Sequence, residues 1–180
     1  MTGKRRGMPQ KNGTFSESVR QSFIKLQNEL NVQFNNSNLL YQAFTHSSYV
    51  NEHRRKFYTD NERLEFLGDA VLNLIVGHIL MHRYPDLKEG DLSKMRANLV
   101  NESQLASIAR QMNLGSYLQL GKGEIQTEGW DKQSILADTF EAVIAAVYLD
   151  GGLSAAFHLA RDHGIDVRVL EAGHIGWGAS

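Results

Sequence analysis

Apolar residues recur along this chain at spacings of three and four, the period of helices that bury one face. Val19, Phe23, Leu26 and Leu30 share one such face, with Ser16 placed to cap it. A second helix is expected after Ser37, carrying Leu39, Leu40, Ala43 and Phe44. Residues 49–60 are polar and aromatic and read as a loop. Asp60 or Asn61 then caps a long apolar helix that must stop near Tyr84, because Pro85 disfavours helix in the residue before it. Glu89-Gly90-Asp91 reads as a turn into a helix over about 92–99. Residues 102–112 form another, with Leu105, Ile108, Ala109 and Met112 facing inward. The stretch 120–132, rich in glycine and charge, reads as a loop. Ser134 caps the last strongly apolar helix, 135–149, which Asp150-Gly151-Gly152 ends. No strand is expected before residue 164, and the fold class is all-α, a helical bundle without internal repeats.

Two of these helices carry an unusual polar pattern. On the helix over 61–83, Glu62, Glu65, Asp69 and Asn73 fall within a narrow wedge. Leu64, Leu67, Ala70, Val71, Leu74 and Ile75 occupy the remainder. In the segment 135–144, Asp138 and Glu141 repeat the motif at i, i+3. Carboxylates one turn apart repel unless positive charge sits between them. Left unpaired on core helices, they would carry a large desolvation cost. A hard divalent cation relieves that cost, and all-oxygen ligation favours magnesium, manganese or calcium over zinc. Structural ion pairs with Arg63, Lys94 or Arg96 would relieve it too, and spacing alone leaves both readings open. Gly68 and Gly77, costly inside a helix, suggest close approach of another helix or chain.

With 180 residues, 42% of them hydrophobic, the chain suits one domain with a substantial core. The absence of cysteine excludes disulfides, thiolate zinc sites and cysteine nucleophiles. Net charge is −1, so any nucleic-acid binding must rest on local basic groups. The apolar run 70–81, interrupted by Asn73, Gly77 and His78, is too short to span a bilayer. The basic residues near the N-terminus have no apolar run behind them, so no secretory signal is read and a cytoplasmic location is expected. His78 and His82, at i, i+4, lack the glutamate of a zinc-protease motif and read as ordinary histidines.

Residues 61–72, NERLEFLGDAVL, resemble the signature of the ribonuclease III family. Further segments match in order: AFTHSSY at 43–49, EGDLSK at 89–94, LGKGE at 120–124 and DTFEA at 138–142. The resemblance covers about residues 20–152. It implies an all-α endonuclease domain that dimerises and cleaves both strands of double-stranded RNA, leaving 5′-phosphate and 3′-hydroxyl ends. It implies metal ligation by Glu65, Asp138 and Glu141, with catalytic roles for Asp69 and Glu141. Glu62 and Glu89 match further acidic positions, and Phe66 an aromatic that plugs a socket on the partner subunit. The implied cofactor is Mg2+, with Mn2+ able to substitute. Because A-form RNA hides its base edges, recognition should fall on shape, phosphates and 2′-hydroxyls. Lys94, Arg96, Lys122 and Arg54 to Lys56 are candidate phosphate contacts. A catalytically inactive RNA-binding or scaffold protein of the same fold is the competing expectation, although family-like subunits of that kind lose acids that this chain retains.

The domain organisation expected is a flexible basic tail over 1–15, the endonuclease domain over 16–152, and an atypical tail over 153–180 in place of a double-stranded-RNA-binding domain. Residues 152–180 resemble a fragment of a flavin-dependent oxidoreductase, with Glu171 where a ribose-binding acid would fall. The glycine cradle is missing, since Val147 and Leu149 stand where it needs glycine, so no dinucleotide site is expected. Ala156, Phe157 and Ala160 leave residues 153–161 able to serve as the family's closing helix.

Overall fold

The computed structural model describes residues 17–53, 59–163 and 165. Among them the chain forms eight α-helices, two short 3-10 turns and no strand. The helices are α1 (Glu17–Glu29), α2 (Ser37–Ala43), α3 (Ser47–His53), α4 (Glu62–Arg83), α5 (Glu89–Leu99), α6 (Glu102–Gln111), α7 (Lys122–Gln126) and α8 (Gln133–Asp162). The all-α expectation holds. The basic N-terminal tail, Ser16, Arg54 to Lys56 and Glu171 lie outside the described residues.

The architecture follows from α8. Its first half is apolar nearly all round, and residues 142–147 are completely buried, as a central core helix requires. The second long helix, α4, makes the most extensive packing with it, while α6 and α2 flank it and α5 lies against α4. Phe23, Leu26 and Leu30 of the first segment close the core with Leu40 and Phe44, as their spacing predicts.

Local differences from the sequence expectation have identifiable causes. Residues 49–60 begin in helix because the His46 ring accepts the backbone N–H of Ser48 (3.2 Å), a cap that no usual capping residue announces. The expected loop over 120–132 holds α7 and a 3-10 turn at Gly129–Asp131. Helix α5 starts at Glu89 rather than Leu92, with Glu89 and Asp91 both in its first turn, where acids suit the helix dipole. Asn61 precedes α4, yet its side chain donates to the Ala43 carbonyl (3.3 Å) instead of capping.

The expected stop at Gly151-Gly152 is a kink. Gly152 adopts φ +80°, a left-handed geometry suited to glycine, and helix resumes to Asp162. Ala156, Leu159, Ala160 and Ile165 are buried in the same core, so the stretch after the kink does close the bundle. Just before it, the Asp150 carboxylate accepts the backbone N–H groups of Asn35 and Asn36, each at 2.8 Å. By length and hydropathy alone α4 and α8 are each sufficient to cross a membrane: α4 extends beyond the apolar run at 70–81, and α8 is a second long apolar helix. Here they pack on one another as core helices.

Candidate metal centre

The crossing of α4 and α8 brings the two acidic seams together. One carboxylate oxygen from each of Glu65, Asp138 and Glu141 lies within 4.8 Å of the others. Gly68 makes this approach possible, since a Cβ there would sit 2.0 Å from the backbone oxygen of Glu141. The close approach expected of Gly68 is therefore real. At Gly77 the nearest group is the Arg96 guanidinium at an ordinary 3.9 Å, so no tight packing among the described residues of this chain requires that glycine.

The start of α4 is fixed by segments that are distant in sequence. Asn61 N–H donates to the Thr45 carbonyl (2.9 Å), and Gln119 N–H to that of Phe44 (2.8 Å). Ser48 Oγ accepts the N–H of Gly121 (2.9 Å). The motifs at 43–49, 61–72 and 120–124 thus form one scaffold around the first turn of α4.

No ion pair joins Glu65, Asp69, Asp138 or Glu141 to a cation among the described residues. The pairing with Arg63, Lys94 or Arg96 that spacing left open does not occur there. The electrostatic consequence is large. Burial, with Asp69, Asp138 and Glu65 nearby, pushes the Glu141 carboxyl up to about 8. Burial, with Glu65 and Glu102 nearby, pushes Asp138 up to about 6. Glu65 is raised as well, by burial and then by Glu62 and Asp69. Three part-buried hard oxygen donors, mutually repelling and without a paired cation among the described residues, fit a hard divalent ion.

The other candidate residues are distributed around this group. Asp69 is exposed one turn beyond Glu65, close enough to raise Glu141, and its carboxylate accepts Asn73 Nδ2 (2.8 Å). Glu62 is exposed and acts on Glu65 only through its charge. Glu89 accepts the Ser93 hydroxyl (2.7 Å) on α5 and is not among the groups acting on the three carboxylates. Lys94 and Lys122 are exposed, whereas Arg96 is half-buried against α4. Phe66 is 81% exposed, so its ring lies outside the core of this chain. His78 and His82 are both exposed. Sequence reasoning missed Glu102, in the first turn of α6, which faces Asp138 closely enough to raise it. Nothing in its spacing could reveal this, because only the packing of α6 on α8 brings the two together.

An all-α bundle whose two central helices converge three carboxylates on one point defines a helical domain with an acidic group that could hold a metal ion. The family model described as Ribonuclease-III-like matches residues 36–165, and the chain belongs to that family. It is 56% identical over 135 residues to Ribonuclease 3 of Bacillus licheniformis, covering 75% of this chain and 54% of that protein. With Ribonuclease 3 of Geobacillus kaustophilus it shares 52% identity over 139 residues, covering 77% and 56%. The chain spans about half the length of these curated relatives. The solved nuclease domain of ribonuclease III from Campylobacter jejuni matches with a TM-score of 0.71 and 44% identity, covering 77% of this chain and 96% of that one. The family match runs to residue 165, past the point where the sequence reads as a flavin-dependent oxidoreductase fragment, and nothing in these matches supports that resemblance.

Proposed function

We propose that this chain is a magnesium-dependent endoribonuclease domain that cleaves double-stranded RNA as a homodimer. The observation that carries the reading is the convergence of Glu65, Asp138 and Glu141 with no cation paired to them among the described residues. Family membership and the likeness to a solved nuclease domain support the same conclusion.

Glu65, Asp138 and Glu141 would hold the ion, with Mg2+ the natural occupant and Mn2+ an acceptable substitute. When bound, such an ion supplies charge neutralisation at the scissile phosphate and a lowered pKa for attacking water. The protein's part is to fix the donors on two packed core helices, with no cation of the described residues paired to them, so that a bound ion would displace their protons. Asp69, exposed beside the group and steadied by Asn73, would orient water or accept its proton. Glu62 adds negative charge at the rim, and Glu89 extends the acidic surface along α5. Lys94, Arg96 and Lys122 are retained as phosphate contacts. The products are 5′-phosphate and 3′-hydroxyl ends.

Dimer formation is supported by an apolar surface on α4. Phe66, Leu74 and Met81 are all exposed there. A groove of about 300 Å³ lined by Leu74, Ile75, His78, Leu153 and Phe157 lies on the same helix pair. A two-fold axis would give each duplex strand its own catalytic group. Residues 16–152 are the proposed domain, after a basic tail over 1–15, with 153–162 packed onto it and no dinucleotide site in 153–180. The proposed location is the cytoplasm, away from membranes.

The test is incubation of labelled duplex RNA with the purified chain, first with magnesium and then with a chelator. Metal-dependent cutting is expected. Binding without metal-dependent cutting would overturn the enzyme reading in favour of an inactive scaffold on the same fold.

A further inference from the structure

Asn61 stands directly before α4, the position from which an asparagine side chain ordinarily caps a helix. Here it makes no capping bond, and it is 3% exposed. Its side chain reaches back to the end of α2, where Nδ2 donates to the Ala43 carbonyl (3.3 Å). Its backbone N–H donates to the Thr45 carbonyl (2.9 Å). On the other side, the Asn61 carbonyl accepts the N–H groups of Leu64 and Glu65, each at 2.9 Å. Gln42 Nε2 also donates to the Asp60 carbonyl (3.0 Å), so α2 grips this turn twice. A buried amide is costly unless bonded, and a cap forgone is stability forgone. What the residue supplies instead is a fixed start for the helix that carries Glu65.

We propose that Asn61 is a positioning residue of the metal centre: its bonds to Ala43 and Thr45 set the first turn of α4 so that Glu65 meets Asp138 and Glu141. This rests on the metal-site reading above. Glu65 lies between two anchors, with Asn61 one turn before it and the close α4–α8 contact at Gly68 just after it. Partners that orient a ligand commonly change metal affinity by about 10- to 100-fold. Asn61 governs one carboxylate of three, which puts the expected effect at the lower end.

The experiment is Mn2+ binding to the whole chain, followed by electron paramagnetic resonance, for the parent, N61A, Q42A, L159A and D138N, each held well below its thermal midpoint. The magnesium dependence of duplex cleavage is measured alongside. L159A is the stability control, because it opens a cavity at a buried residue beyond the Gly152 kink, on the stretch that closes the bundle. N61A should bind Mn2+ about 10-fold more weakly and need correspondingly more magnesium for half-maximal rate, with the rate at saturating magnesium retained. Q42A loosens the same turn more gently; it should show a smaller loss, and it carries the test if N61A does not fold. L159A should melt early yet bind Mn2+ as the parent does. If the parent binds Mn2+, D138N does not, and the folded latch variants match the parent, the role of Asn61 is overturned while the metal centre stands. An equal loss in L159A overturns it too, since general destabilisation then explains the effect. If the parent and D138N bind Mn2+ equally, the metal-centre reading itself fails and this inference with it.

Discussion

The Glu141→Gln exchange is the sharpest probe of the site, because it removes charge with little change in volume. In the metal-free protein the Glu141 carboxyl rises from its ordinary 4.5 to about 8, through burial and its neighbouring carboxylates. Between those two values the folded chain keeps a proton that the unfolded chain has lost. Stability therefore falls as pH rises through that window. The full shift corresponds to about 5 kcal/mol at 1.36 kcal/mol per unit, and solvent screening at this part-exposed position reduces it to about 2 kcal/mol. In EDTA, the parent should lose about that much relative to E141Q between pH 5 and pH 8. Denaturant melts at the two pH values read this directly, and a thermal melt at pH 8 should place the variant about 5 °C above the parent. Magnesium should then stabilise the parent at pH 8 and leave E141Q nearly unmoved, since only a chain that binds the ion gains from mass action. Parallel pH profiles for the two proteins in EDTA, or a variant less stable than the parent at pH 8, would refute the argument.

Other consequences follow from the same geometry. D138N and E65Q should each slow duplex cleavage on the order of 10³-fold with the helical circular dichroism unchanged, a loss of several kcal/mol of transition-state stabilisation. Gly68→Ala would normally gain about 1 kcal/mol inside a helix, yet here the added carbon meets the Glu141 backbone oxygen. Destabilisation by about 3 kcal/mol is expected from such overpacking, and a more stable G68A in urea melts would contradict the close crossing. Phe66→Glu should convert the proposed homodimer to a monomer in sedimentation without lowering the thermal midpoint of the protomer, because the ring is exposed there. Binding of duplex RNA should weaken steeply with salt, giving a straight log–log plot by fluorescence anisotropy; a flat plot would exclude phosphate-dominated recognition.

Much of the fold was legible because helix period and punctuation dominate the sequence. Phe23, Leu26, Leu40 and Phe44 point inward as their spacing demands, and Pro85 ends α4 where its ring must. The chain was least legible where tertiary partners do the capping. The His46 ring starts α3, and Asp150 holds the N–H groups of Asn35 and Asn36 from more than a hundred residues away. In the site, i, i+3 and i, i+4 spacing exposed two acidic seams but could not tell ion pairs from a metal centre. That distinction depends on where Arg63, Lys94 and Arg96 end up, and none of them reaches the carboxylates. Glu102 was invisible for the same reason, since its partner Gln133 lies 31 positions along the chain.

The missing side chain at residue 68 ties the proposed ion site to the deepest part of the molecule. The spacing of its three carboxylates is set by the depth to which one backbone nests in the other, and no surface loop intervenes to adjust it. Loosening of the interior, by heat, denaturant or a cavity anywhere along that seam, should therefore register first as a lost grip on the ion, well before the helices themselves melt.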